Sequence, residues 1–202
     1  MRRLYVSTQN PHKLEELQAL LGDSVELHHP APDDPEVEET GETLLDNAIL
    51  KAKAGFARSG MPTIADDTGL EVDALNGAPG VYSSRYAGEN ATYAENRHKL
   101  IGAMTPVPEE ARTARFRSTI AYVDGVRELH FEGRVEGIII TDERGSNGFG
   151  YDPIFLPEGE TRTFAELSDV EKNAISHRGR ALRAFLAWWK SEAPELSEGE
   201  KG

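Results

Sequence analysis

The sequence predicts an α/β protein, either one unit or two lobes with a cleft between them. Three observations predict it. Strand-like apolar runs alternate with amphipathic helical segments, a long antiparallel ribbon occupies the middle of the chain, and no repeat or linker separates two independent cores. At 202 residues, 38% of them hydrophobic, the chain can bury one sizeable core.

In chain order, "RRLYVST" reads as a first strand. Asn10-Pro11 opens a helix, with Asn as N-cap and Pro at the first helical position. Leu14, Leu17 and Leu21 then recur at helical spacing until Gly22 stops it. "HHPAPDDPEVEETGE" is rich in Pro and acid and has no apolar period, so it reads as a loop. The next helix runs from Thr43 to Ala57, with Thr43 and Asp46 in capping-box positions and Leu45, Ile49, Ala52 and Phe56 on one face.

"MPTIADD" reads as a short buried strand ending at Asp66-Asp67, and "TGLEVDALNGAPGVYSSRYAG" as a long loop punctuated by Gly and Pro. "TYAENRHKLIGAM" is helical. "ARFRSTIAYVDG" and "VRELHFEGRVEGIII" form the ribbon, broken at Asp124-Gly125. Ser168 and Glu171 repeat the capping-box pattern, and a last helix places Leu182, Phe185, Leu186 and Trp189 on its apolar side. Residues 1–190 are expected to form one domain, and 191–202 a disordered tail.

Composition narrows the function. A net charge of −13, from 35 acidic and 22 basic residues, argues against a broad basic face for polymeric nucleic acid, while a small anion needs only a local cluster of donors. No run approaches the roughly 18 apolar residues of a membrane span, and no signal peptide is recognisable, so a cytoplasmic location is expected. The absence of cysteine excludes thiolate catalysis and Cys-ligated zinc, leaving oxygen or imidazole for any metal.

Five stretches can carry chemistry. "STQNPHK" presents Ser7, Thr8, Asn10 and Lys13 at a strand-to-helix turn, where free N–H groups and the helix dipole favour a phosphate; ordinary helix capping uses the same residues. Asp66 and Asp67 are adjacent in a strand, so they point to opposite faces and do not share one ion symmetrically, unless both simply cap a turn. Glu36, Glu38 and Glu39 can supply a hard cation such as Mg²⁺ together with Asp67, or form a solvated run. "GSNGFGYDPIF" lets backbone approach a ligand and offers Phe149 as an aromatic face. "EKNAISHRGRAL" gathers Lys172, His177, Arg178 and Arg180, a positive group in an acidic chain.

Together, "STQNPHK", "ADDTGLEVDALNGAPGVYSSRYAG", "GFGYDPIF" and "SHRGRAL", in this order and spacing, resemble the inosine triphosphate pyrophosphatase family, also called Ham1-like. The resemblance runs from about residue 4 to residue 190. It implies an elongated two-lobed mixed sheet flanked by helices, with a nucleotide cleft between the lobes, and a homodimer. It also implies Mg²⁺-dependent hydrolysis of XTP, ITP and dITP to the monophosphate and pyrophosphate. Carried over to this chain, Thr8, Gln9, Asn10, Pro11, His12 and Lys13 hold the triphosphate. Asp67 activates water and helps hold Mg²⁺, Glu38 is the other metal-side carboxylate with Glu39 as its alternative, and Thr68 contacts substrate. Phe149, Gly150, Tyr151 and Asp152 line the base pocket, and Lys172, His177 and Arg178 complete it. One departure is Gln9, where many relatives have Gly. The rival functions are a pyrophosphatase for other modified nucleotides and a catalytically idle nucleotide-binding module.

Overall fold

A computed structural model describes residues 2–22 and 25–192. The described elements are β1 (Arg2–Val6), α1 (Pro11–Leu21), β2 (Val25–His28), α2 (Leu44–Ser59), β3 (Thr63–Val72), β4 (Pro79–Gly80), α3 (Tyr93–Met104), β5 (Thr113–Val123), β6 (Glu128–Ile139), β7 (Phe155–Pro157), α4 (Asp169–Ile175) and α5 (His177–Ser191). The strands form one mixed sheet in the order β2-β1-β3-β5-β6-β7, with β4 paired to β3. β1 is parallel to β2 and β3, and the β3–β5–β6–β7 ladder is antiparallel.

The local signals act as the sequence suggests at most helix ends. The Asn10 side chain accepts from the backbone N–H of His12 and Lys13, Pro11 occupies the first turn, and Gly22 ends α1. Thr43 with Asp46 and Ser168 with Glu171 close full capping boxes. In the β5–β6 turn, Asp124 Oδ1 accepts from the N–H groups of Val126 and Arg127.

Four expectations need correction. β2 is a strand the sequence reading missed, too short for its alternation to stand out beside the Pro-rich loop. On α2 the buried face is Leu44, Asn47, Ala48, Ala52 and Gly55, while Leu45, Ile49 and Phe56 are only half-buried. Small residues let the helix lie close on the sheet, so the large apolar ones flank the contact. β3 does not stop at Asp66-Asp67: it continues to Val72, because β5 pairs with it from Thr63 to Val72. Finally, Ser191 closes α5 instead of opening a tail, and the rest of that expected tail, from 193, lies outside the described residues.

The core has two main parts that share strands. Ile64, Ile120 and Tyr122 pack with Leu17, Leu182, Phe185 and Trp189 at one end. Leu70, Val72, Ala114 and Phe116 pack with Leu100, Met104, Phe155 and Phe164 at the other. Between them, β3 carries Asp66, Asp67 and Thr68, and β5 carries Ser118 and Thr119, so the sheet has a polar waist. α2 covers one face of that waist and α5 the other. Among the described residues no helix is long and apolar enough to cross a membrane.

Candidate active site

A cleft of about 830 Å³ runs along the polar waist. Alternation in β3 sends Asp66 and Asp67 to opposite faces of the sheet, where Asp66 meets cations from α1 and α5 and Asp67 one from α2. Asp66 is 3% exposed; its Oδ2 lies 3.1 Å from Arg178 Nε and 3.2 Å from Lys13 Nζ. Thr68 Oγ1 also donates to that oxygen, at 3.1 Å. Burial pushes the Asp66 carboxyl up, but Lys13, then Arg178 and Lys51, outweigh it and hold it well below the usual carboxylate range.

Asp67, 5% exposed, faces α2. Lys51 Nζ donates to Asp67 Oδ1 at 2.9 Å and to Glu39 Oε1 at 2.7 Å. Asn47 Nδ2 reaches Asp67 Oδ2 at 3.3 Å while its Oδ1 accepts from Gly41 N–H at 2.7 Å, so one amide ties the acid-rich loop to the strand. Burial raises the Asp67 pKa; Lys51 and Lys13 oppose the shift without cancelling it, and Glu39 adds to it. A raised pKa makes this carboxylate a stronger base than a free one.

A second cluster joins α1, α4 and α5. Glu16, which the sequence reading missed, accepts from Lys172 through Oε1 at 2.7 Å and from Arg178 through Oε2. Lys172 also donates to Asp152 Oδ2 at 2.7 Å, and that oxygen takes the Phe149 N–H at 2.9 Å. Gly148 makes this turn possible: its φ is +69°, and a Cβ there would lie 2.1 Å from Asp152 Oδ2. The Phe149 ring sits with Lys172 Nζ 5.0 Å and the Arg178 guanidinium 5.7 Å from its centroid. His177 stacks on Phe116 at 4.6 Å, and burial, followed by Arg178 and Lys172, drives its pKa well down, so it is neutral at pH 7. Its Nδ1 is buried and has no hydrogen-bond partner among the described residues.

The cleft wall therefore includes Thr8, Gln9, Asn10, Lys13, Glu38, Asp67, Thr68, Phe149, Gly150, Tyr151, Asp152, Lys172, His177 and Arg178. Two expected site residues are not on it. Pro11 is spent on the first turn of α1, and His12 is exposed and stacks on Phe149, with ring centroids 5.1 Å apart and planes 13° from parallel. Gln9 Nε2 donates to Asp34 O at 2.6 Å and Ala31 O at 3.2 Å, which ties its side chain to the loop after β2. Glu38 is exposed, whereas Glu39 shares an ammonium with Asp67.

A hard cation fits the oxygen donors here. No cluster of three metal-ligating side chains exists among the described residues. However, Mg²⁺ with a nucleotide usually takes one or two protein carboxylates and completes its shell with phosphates and water. Asp67 and Glu39, already bridged by a single cation in the form of Lys51, are such a pair.

Fold and site together define a mixed α/β protein whose one long sheet carries a charge-lined cleft at its waist. The chain belongs to the Ham1 family, whose model matches residues 4–188. It is 48% identical over 193 residues to the dITP/XTP pyrophosphatase of Porphyromonas gingivalis, covering 92% of this chain and 98% of that protein. The HAM1 protein of Coxiella burnetii superposes with a TM-score of 0.86 at 43% identity, over 95% of this chain and 100% of that one. The nucleoside-triphosphatase, or dITP/XTP pyrophosphatase, of Mycobacterium abscessus gives a TM-score of 0.73 at 46% identity, over 91% and 98%.

Proposed function

We propose that this protein hydrolyses the non-canonical purine nucleoside triphosphates XTP, ITP and dITP to the monophosphate and pyrophosphate, cleansing the nucleotide pool of the cytoplasm. The observation that carries this reading is the division of labour at the waist: Asp67 faces Lys51 and Glu39, while its neighbour Asp66 is consumed by Lys13 and Arg178. The relatives described as dITP/XTP pyrophosphatases support the same substrate class. We further take residues 1–190 as one domain acting as a homodimer.

In this mechanism Thr8 to Asn10, the α1 N-terminus and Lys13 hold the triphosphate, and Lys51 faces it from α2. Asp67 and Glu39 would hold Mg²⁺, which supplies charge neutralisation on the phosphate oxygens. Asp67 orients a water and takes its proton; the water oxygen bonds to the α-phosphorus, the bond to the bridging oxygen breaks, and pyrophosphate leaves. Glu39 takes the role expected of Glu38.

Base choice lies with the α4–α5 cluster. Arg178 spends one N–H each on Asp66, Glu16 and Thr68, which leaves two of its five for a ligand acceptor such as a 6-oxo group. A 6-amino group would set donor against donor there and leave a buried N–H unpaired, which discriminates strongly. The test is incubation with Mg²⁺ and ITP, XTP, GTP or ATP, scoring pyrophosphate against orthophosphate. Pyrophosphate from ITP and XTP, with little from ATP, is expected; GTP shares the 6-oxo group, so the Arg178 contact does not by itself reject it. Cleavage of all four alike would remove the base-pocket assignment, and tight ITP binding without turnover would make the protein an idle binding module.

A further inference from the structure

Arg85 belongs to none of the clusters above, yet the fold takes trouble over where it sits. It ends the short 3-10 turn Ser83–Arg85, between β4 and α3. That turn is braced from three directions. Leu70 N–H in β3 donates to Ser83 Oγ at 2.9 Å, the Tyr151 hydroxyl donates to Ser83 O at 2.8 Å, and Asn96 Nδ2 in α3 donates to Ser84 O at 2.9 Å. From this platform the Arg85 side chain enters the cleft wall, where Nη1 lies 3.3 Å from Glu39 Oε2.

Arg85 and Arg178 differ in what they have left to give. Arg178 is bonded through all three nitrogens. Arg85 makes one side-chain hydrogen bond among the described residues, to Glu39, and its other ion pair, with Glu89, is a loose 3.7 Å contact to an exposed carboxylate. Four of its five N–H groups therefore have no hydrogen-bond partner among the described residues, on a side chain that lines the cleft. Charge gives the rest. Asp67 and Glu39 are balanced by Lys51 and Arg85; a divalent cation on the two carboxylates leaves both side-chain cations without their partners, and a triphosphate supplies the anion they then lack.

We propose that Arg85 is a phosphate ligand of the substrate, held on Glu39 until that carboxylate is committed to a divalent cation. It competes with the metal for Glu39 and assists the triphosphate, and so couples the two binding events. This rests on the nucleotide reading above, and it predicts opposite signs for two affinities, which a merely structural role does not.

The experiment is calorimetry on wild type and Arg85→Ala, with Mg²⁺ alone and, separately, with the α,β-imido analogue of ITP at saturating Mg²⁺. Arg58→Ala serves as a charge control, because Arg58 lines the same cleft but bonds to Pro35 O at 3.0 Å and not to Glu39. In Arg85→Ala, Mg²⁺ alone should bind about 3- to 5-fold tighter, and the analogue about 10-fold weaker. Arg58→Ala should move each by less than about 2-fold. Mg²⁺ binding that is unchanged or weaker in Arg85→Ala, unchanged analogue binding, or equal shifts in the control would overturn the proposal while leaving the nucleotide reading intact. A wild-type protein that binds neither probe would overturn both.

Discussion

Asp66 and Asp67 are consecutive in β3, yet they face opposite sides of the sheet, and the charges around them outweigh burial at Asp66 but not at Asp67. Asp66 is surrounded by cations that hold its pKa far down, whereas Asp67 has its pKa raised. The two carboxylates should therefore respond oppositely to removal of charge.

Asp67→Asn should lower kcat by about 10²- to 10⁴-fold, the range for a general base, and leave binding of the α,β-imido analogue measurable. It should not lower the melting temperature at neutral pH. A carboxyl whose folded-state pKa is raised favours folding at low pH, and this contribution is lost as pH rises through the folded value. At pH 7 the ionised Asp67 carries a burial cost that the amide removes, while Lys51 keeps Glu39 as its partner. Single-turnover kinetics beside a thermal melt checks both halves; full activity in the variant would free Asp67 of its role.

Asp66→Asn should do the reverse, destabilising the fold by about 3–5 kcal/mol at pH 7 by leaving Arg178 and Lys13 buried without their shared partner. The depressed pKa means that the stabilisation is fully present above the ordinary value of 3.8 and is lost as pH falls toward the lower folded value. Urea denaturation of both proteins at pH 7 and at pH 3 should show the gap between them shrinking at the lower pH. A gap independent of pH would mean that Asp66 acts by packing alone.

Gly133→Ala should misplace α5 over the sheet. A Cβ there would meet His177 O at 1.9 Å and Ala181 N at 2.5 Å, both backbone atoms of the helix that carries Arg178. We expect a loss at or above the upper end of about 1–3 kcal/mol, read by denaturation. Wild-type stability in the variant would show that helix and strand can separate more easily than their packing implies.

His12→Ala removes the ring stacked on Phe149 without touching the cleft wall. An aromatic pair is worth about 0.5–1.5 kcal/mol, so KM for ITP should rise about 2- to 12-fold with kcat nearly unchanged. A fall in kcat at constant KM would place His12 nearer the chemistry.

The parts of this architecture that depend on neighbours in sequence are legible in it. The Asn10-Pro11 helix start, the boxes at Thr43 and Ser168 and the Asp124-Gly125 turn all follow from side chains bonding to backbone within a few residues. The opposite facing of Asp66 and Asp67 follows from strand alternation alone. The course of β3 through both carboxylates does not, because acidic residues in mid-strand are tolerable only when distant helices bring Arg178, Lys13 and Lys51 to them. Glu16, Asn47 and Lys51 escape notice for the same reason. Each is one polar residue on a helix, and only its partner across the fold distinguishes it from a solvated one. A signal does exist for Asn47 and Lys51: they lie four apart, and Asn47 stands on the same face as Ala48 and Ala52, where polar side chains are out of place unless paired.

The most direct test of the central assignment is to run ITP hydrolysis in ¹⁸O-water with Mg²⁺ and locate the label by mass spectrometry. Water activated at Asp67 and attacking the α-phosphorus should place one ¹⁸O in inosine monophosphate and none in pyrophosphate. Label in pyrophosphate, or orthophosphate as the first product, would contradict the assignment of the scissile bond and with it the role of Asp67.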